Sequence, residues 1–286
     1  MIETIAGVRD AVRTTRCEGK RVGLVPTMGA LHVGHESLIA RSVAECGVTV
    51  VSIFVNPIQF NQPEDFEKYP RELEHDVAAC ERMGAEIVFA PANAEMYPRP
   101  LEMHVEPGKV AEHLCGPFRP GHFRGVATVV AKLFHAVEAD RAYFGEKDAQ
   151  QLAVIQRMVS DLNMAVEIVP VATVRESDGL AMSSRNARLG VAARRAAPVL
   201  YAGLQVALEK LEGGERDAGR VRAAAMAVIA VEPQVRVEYL DVVDAGTMQP
   251  LERVEGPVRV AVAAWLGGVR LIDNVGFSPW PLNISG

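Results

Sequence analysis

The run VTVVSIFV at residues 48–55 constrains the fold most, because six of its eight residues are apolar, only Thr49 and Ser52 interrupt it, and it is rich in β-branching. A strand with one wet face alternates polar and apolar residues, whereas a near-continuous run belongs to a parallel sheet covered on both faces. Two comparable runs flank it, RVGLVPT at 21–27 and EIVFA at 86–90. Between them, residues 36–46 carry Leu38, Ile39 and Val43 at helical spacing, and residues 71–83 read as a second helix. The alternation continues with a helix at 125–138, a strand at 142–144, a helix at 146–162 and a strand at 166–174. This order predicts an α/β fold, a Rossmann-like doubly wound parallel sheet, which takes its ligands at the carboxyl ends of its strands.

Beyond the loop ESDGLAMSSRN at 176–186 the pattern changes. Two Ala-rich helical stretches, 192–211 and 215–230, precede strands at 236–244, 258–265 and 268–274. These segments predict a smaller α+β domain, with residues 1–175 as the larger domain and 176–286 as the smaller.

Composition removes several function classes. Thirty Lys and Arg against 36 Asp and Glu give a net charge of −6, a poor balance for binding nucleic acid or an anionic membrane. No apolar run approaches the ~20 residues of a membrane span, and the opening MIETIAGVRD lacks a signal-peptide pattern. Cys17, Cys46, Cys80 and Cys115 form no CxxC pair, as expected of free thiols in a reducing cytoplasm. A metal-binding module is disfavoured for the same reason, since no HxxxH or Cys/His spacing is present.

The segment with chemical content is MGALHVGH at 28–35, between the first strand and the first helix. Gly29 permits a tight turn, and Gly34 removes a Cβ where a phosphate or adenine approaches the backbone. A helix opening just beyond offers free N–H groups and a partial positive charge to a polyphosphate. His32 and His35, three apart, can donate to phosphate oxygens as charge shifts in a transition state. A second strand-to-helix passage, FGEKDAQQ at 144–151, adds Lys147 as a point charge suited to phosphate and Asp148 for a ribose or a cation. Neither GxxxxGK[ST] nor GxGxxG occurs, so P-loop phosphoryl transfer and hydride transfer are both disfavoured.

MGALHVGH resembles the HxGH signature of the nucleotidyltransferase superfamily. The wider pattern is similar to one family within it, the pantothenate synthetases or pantoate–β-alanine ligases. PTMGALHVGH at 26–35, FVNPIQF at 54–60, YPR at 69–71, GHFRGVATVVAKLF at 121–134, YFGEKDAQQ at 143–151 and GLAMSSRN at 179–186 carry the resemblance. VEYLDVVD at 237–244 and LIDN at 271–274 add a weaker likeness in the smaller domain.

The resemblance implies ATP contacts from Met28, Gly29, Ala30, Leu31, His32, Val33, Gly34 and His35. It implies further ATP contacts from Gly145, Glu146, Lys147 and Asp148, from Val174, and from Met182, Ser183, Ser184 and Arg185. Gln59 and Gln151 would hold pantoate, with Gln59 also near β-alanine and Asn56 beside them. Neutral amides suit a carboxylate that must remain nucleophilic. His35, His32 and Lys147 take the catalytic roles. Magnesium belongs on the ATP phosphates; the family links it at times to acidic residues around 75–76, where this chain has His75-Asp76. Residues 61–69 fit a loop over the site, residues 176–286 a lid domain, and a homodimer is implied.

The implied reaction has two steps, pantoate adenylation and then capture of the adenylate by β-alanine. The nearest alternative is another adenylyl- or cytidylyltransferase of the same fold. A phosphorylated acceptor would call for Lys or Arg where Gln59 and Gln151 stand. A tRNA synthetase is disfavoured by length and charge, and a nucleotide-binding regulator could lose His32, His35 and Lys147 at little cost.

Overall fold

In the computed structural model, residues 1–280 are described; residues 281–286, inside the expected 176–286 domain, lie outside them. The chain divides into two compact units. The first holds residues 1–107, 119–146 and 154–174, and the second holds 108–118, 147–153 and the chain from 175 onward.

The first unit is built on a five-stranded parallel sheet in the order β3-β2-β1-β4-β5. Its strands are β1 (Val22–Thr27), β2 (Val48–Ile53), β3 (Ile87–Phe89), β4 (Arg141–Gly145) and β5 (Glu167–Val171). All six residues of β2 are buried, Thr49 and Ser52 included, as its nearly continuous apolar run requires. Helices α1 (Ile5–Cys17), α2 (Val33–Glu45), α3 (Pro63–Glu67), α4 (Leu73–Arg82), α5 (Asn93–Met96) and α6 (His122–Val137) connect and flank these strands. Helix α7 (Ala149–Asp161) leads from β4 towards β5. The strand order reverses direction between β1 and β4, the switch point where such sheets open a crevice.

Several element bounds differ from the sequence expectation, each for a local reason. Helix α1 is not anticipated by apolar spacing, because only Val8, Val12 and Thr15 of its thirteen residues are buried. Its start is nonetheless capped, with Thr4 accepting a hydrogen bond from the Gly7 amide. Helix α2 begins at Val33 rather than at residue 36, and its inward face is Leu38, Ile39 and Ser42. Val43 is exposed, while the Ser42 hydroxyl reaches Thr49 Oγ1 at 2.8 Å inside the unit.

The second unit carries α8 (Val191–Ala196), α9 (Val199–Glu212) and α10 (Ala218–Ile229) with strands β6 (Arg236–Asp244), β7 (Val258–Leu266) and β8 (Val269–Phe277). The expected single helix at 192–211 is two, broken at Pro198, whose ring cannot supply the missing N–H. The strands form an antiparallel sheet, β6-β7-β8, and β8 runs three residues past the expected 274. Leu200, Leu204 and Leu211 of α9 and Val221 and Ile229 of α10 bury against Val260, Val262 and Leu271 of the sheet. At about 25 cal/mol per Å² of apolar area, such a face stabilises the unit by many kcal/mol before entropy is subtracted.

Candidate active site

The loop after β1 is held from both sides. Within it, His32 is the N-cap of α2 and His35 the third residue of the helix. His32 Nδ1 accepts from the Gly34 amide at 3.1 Å, and His35 Nδ1 accepts from the His32 amide at 3.3 Å. This is a reciprocal cap of the kind Ser and Glu usually make, here built from two imidazoles. An Nδ1 that accepts carries no proton, so both rings are neutral with the proton on Nε2. The ring centroids lie 4.1 Å apart, which sets two Nε2–H donors side by side at the positive end of α2.

Beneath the loop, α4 presents Asp76. Its two carboxylate oxygens accept from the Ala30 amide at 2.9 Å and the Leu31 amide at 2.8 Å. The side chain is 1% exposed. The backbone it holds is strained, since Gly29 sits at φ +81° and Ala30 at φ +52°. A Cβ on Gly29 would come within 2.7 Å of Asp76 Oδ2, so the glycine is needed for room as well as for conformation. A cavity of about 260 Å³ opens beside this arrangement, lined by Met28, Phe54, Val55, Phe66, Asp76 and Asn93 among others.

Gln59 lies in a 3-10 turn, Pro57–Gln59, after β2, and is buried. Its Nε2 points to Met28 Sδ at 3.1 Å and its Oε1 accepts from Asn56 Nδ2 at 2.9 Å. Asn56, expected beside the acid substrate, is 1% exposed and has both ends of its amide engaged. Its Nδ2 also donates to Gly125 O, and its Oδ1 accepts from Tyr97 Oη at 2.6 Å. Burial pushes the Tyr97 phenol well above its ordinary pKa, so it stays a donor. The Gln59 carbonyl is held in turn by His122 Nδ1 at 2.9 Å and Arg119 Nη2 at 3.4 Å. Helix α6 comes so close that a Cβ on Gly125 would meet Ile58 O at 2.5 Å.

In the second unit, Lys147 belongs to a 3-10 turn, Glu146–Asp148, ahead of α7. The lysine side chain is 16% exposed, and its Nζ lies 4.0 Å from Asp148 Oδ2, whose side chain is 47% exposed. Of the adjacent glutamines, Gln150 is buried and tied to Cys115 N, Val110 O and His113 O. Gln151 is half-buried. Residues 182–185 carry Ser183 as the cap of a 3-10 turn, Ser184–Arg188, its Oγ accepting from the Arg185 amide. Met182, Ser184 and Arg185 are half-buried. Asn186 closes this turn by donating to Glu176 Oε1 at 2.7 Å and Ala181 O at 3.1 Å. Glu176 and Asp178 share Arg194, whose guanidinium holds the Asp178 carboxyl below its usual range.

The remaining expected residues are placed as follows. Gly145 closes β4 and Val174 is half-buried beyond β5, both in the first unit. Residues 61–69 include α3, and Phe60 packs edge-on against Phe66 and Tyr69. His75 is exposed, so Asp76 alone of that pair turns inward. No cluster of three or more His, Cys, Asp or Glu side chains suited to a metal ion occurs among the described residues.

The family model for pantoate-beta-alanine ligase matches residues 1–276. The chain belongs to the pantoate–β-alanine ligase family. Among its relatives in that family, the pantothenate synthetase of Moorella thermoacetica is 50% identical over 96% of this chain and 97% of its own. The crystal structure of pantothenate synthetase from Thermus thermophilus superposes with a TM-score of 0.90 at 44% identity, covering 96% of this chain and 98% of that one. A pantoate–β-alanine ligase from Francisella tularensis, complexed with βγ-ATP and β-alanine, gives a TM-score of 0.76 at 32% identity, with 96% and 97% covered.

Asp76, Tyr97 and His122 have parts in the site that sequence reasoning did not assign. The Ala30 and Leu31 amides, in a turn at positive φ, need an outside partner. That partner is 46 residues away, and nothing local names it. Tyr97 and His122 act on Asn56 and Gln59 from distant segments in the same way.

Proposed function

We propose that this chain condenses pantoate with β-alanine at the expense of ATP, through a pantoyl adenylate, releasing AMP and pyrophosphate. The observation that carries the reading is the pair of neutral imidazoles capping α2, with both Nδ1 atoms held by backbone amides. Family membership supplies the substrates, and the ATP and β-alanine named for the Francisella relative support them.

In the first step a carboxylate oxygen of pantoate attacks the α-phosphorus of ATP, and the bond to the β-phosphate oxygen breaks. A carboxylate is already ionised at neutral pH, so no general base is needed. What lowers the barrier is alignment and stabilisation of charge on the phosphorus centre and on departing pyrophosphate. The first unit contributes the Nε2–H groups of His32 and His35, the amides of residues 28–35 and the N-terminus of α2. The family resemblance adds Lys147, Ser183, Ser184 and Arg185 as phosphate contacts. Gly145, Glu146, Asp148, Val174 and Met182 complete the nucleotide contacts in this reading.

Gln59 and Gln151 hold pantoate as neutral donors, and Asn56 fixes the Gln59 amide. In the second step the ammonium of β-alanine first gives a proton to solvent; its neutral amine attacks the acyl carbon, the acyl–phosphate bond breaks, AMP leaves with both electrons of that bond, and the nitrogen releases its second proton to solvent. His35 enters as a hydrogen-bond donor, because its Nδ1 is engaged and its Nε2 already bears the proton. Exclusion of water by residues 61–69 protects the adenylate.

Magnesium enters as part of the nucleotide substrate. The described residues offer no ready-made cage, and both Asp76 oxygens already accept backbone amides. Mg²⁺ is commonly held by phosphates with few protein ligands, so no step is routed through a resident ion. A homodimer, implied by the family resemblance, and a cytoplasmic location, expected from the unpaired cysteines, belong to the same reading. No described helix is long and apolar enough to cross a membrane.

Incubation with pantoate labelled with ¹⁸O in its carboxylate, β-alanine and Mg–ATP tests the chemistry. The expected products are pantothenate, pyrophosphate and AMP carrying one ¹⁸O. Formation of ADP and phosphate, or of unlabelled AMP, would overturn the adenylate.

A further inference from the structure

The LIDN segment ends on β8 with two adjacent buried polar residues, Asp273 at 5% and Asn274 at 4% exposure. Neither has a part in the chemistry above. A buried carboxylate and a buried amide are costly unless each is satisfied, so their partners indicate what they are for.

Asn274 Nδ2 donates to the main-chain carbonyl of Lys147 at 3.0 Å, and its Oδ1 accepts from Arg259 Nη1 at 3.1 Å. Asp273 takes a two-pronged contact from Arg175, at 2.6 Å to Oδ2 and 3.0 Å to Oδ1. Arg175 also donates to Gly179 O at 3.1 Å and stacks 3.6 Å from the centroid of the Tyr201 ring. Its own backbone bridges to Ala181, the residue before Met182. Two neighbouring residues of one strand therefore hold the peptide of Lys147 and the base of the loop that carries Ser183 to Arg185. Burial pushes the Asp273 carboxyl up, while Arg175, and then Lys147, favour its charge.

We propose that Asn274 and Asp273 are positioning residues for nucleotide binding, Asn274 acting through Lys147 and Asp273 acting through Arg175 on the 176–185 loop. The inference rests on the reading that Lys147 and residues 183–185 meet ATP phosphates. Fixing the Lys147 carbonyl orients the peptide from which its side chain departs, so Nζ reaches its target with fewer alternatives to lose. Asp273 does the same for the loop by locking a planar guanidinium in one geometry.

Direct ATP titration by calorimetry, with steady-state kinetics alongside, tests this at a temperature well below each variant's melting point. Asn274→Ala is expected to weaken ATP binding and raise the KM for ATP about tenfold, the scale of one buried hydrogen bond. The KM values for pantoate and β-alanine should stay within about twofold. In a Lys147→Ala background the same change should add less than about twofold, because its route of action is gone. An equal effect in both backgrounds would overturn the Asn274 assignment, as would unchanged ATP binding in a folded Asn274→Ala. Should that variant fail to fold, Asn274→Asp keeps the size and removes the same donor, with the same two criteria. Asp273→Asn should weaken ATP binding in the Lys147→Ala background as well, because its route through Arg175 remains there; complete loss of its effect in that background would contradict that route. Absence of ATP binding by the unaltered chain would refute the proposed function instead, which keeps the two failures distinct.

Discussion

The stretches assigned to phosphate are secured in two different ways. The 28–35 loop is held largely by its own residues: the imidazoles cap α2 reciprocally across three positions, and a single carboxylate from α4 binds two amides underneath. The Lys147 turn and the 176–185 loop depend on β8, reached across 127 and 98 residues of chain. A locally capped loop can be damaged at one or two positions that a reader of the sequence would choose. A remotely held loop is sensitive to residues that look like ordinary sheet.

The largest effect should come from His35. His35→Ala removes the donor proposed for the phosphates and one half of the cap, and should slow adenylate formation by about 10²–10³-fold. Single-turnover kinetics measures it; a rate within a few-fold of the unaltered chain would show that His35 is not a catalytic group. Asp76→Asn comes next, since one amide would then face an NH₂ group in a buried place. A loss of about 1–3 kcal/mol in unfolding free energy is expected, read by denaturant titration, with weaker ATP binding. If stability falls and ATP affinity does not, the carboxylate supports the fold without shaping the loop.

Gly29→Ala sharpens the same contrast. The positive φ alone costs about 1–2 kcal/mol, and the new Cβ would crowd Asp76. Combining it with Asp76→Ala should give less than the sum of the two, because the crowding vanishes. On the remote side, Arg194→Ala should have a smaller effect, for its ion pairs with Glu176 and Asp178 are partly exposed. Arg194 lowers the Asp178 pKa, so this stabilisation exists above the carboxyl's unfolded pKa and fades as pH falls through its folded value. Thermal melts of the variant and parent should therefore converge in acid and in high salt. The smallest signal is chemical: burial, with Asp76 nearby, pushes the Cys80 thiol up to about 11. Cys17 is exposed and should react with a disulfide reagent at neutral pH long before Cys80.

This contrast also explains what could be read from the residues. Parallel strands were legible because burial on both faces leaves runs such as 48–55 nearly continuous in apolar residues. The HxGH segment was legible because a strand, a glycine turn and a helix start lie consecutively in the chain. Asp76, Tyr97, His122, Asp273 and Asn274 were not, because each acts on a segment distant in sequence and has an ordinary polar side chain. Val43 failed in the opposite direction: helical spacing suggested burial, and Ser42 occupies the inward position. Short-range periodicity does not tell a small polar residue in a close helix–strand contact from a solvated one.

The central claim is that this chain activates an acid by adenylation before any amine is present. ATP–pyrophosphate exchange, run with β-alanine omitted, tests it most directly. The account predicts exchange that appears when pantoate is added and is absent without it. ATP binding with no pantoate-dependent exchange would contradict it.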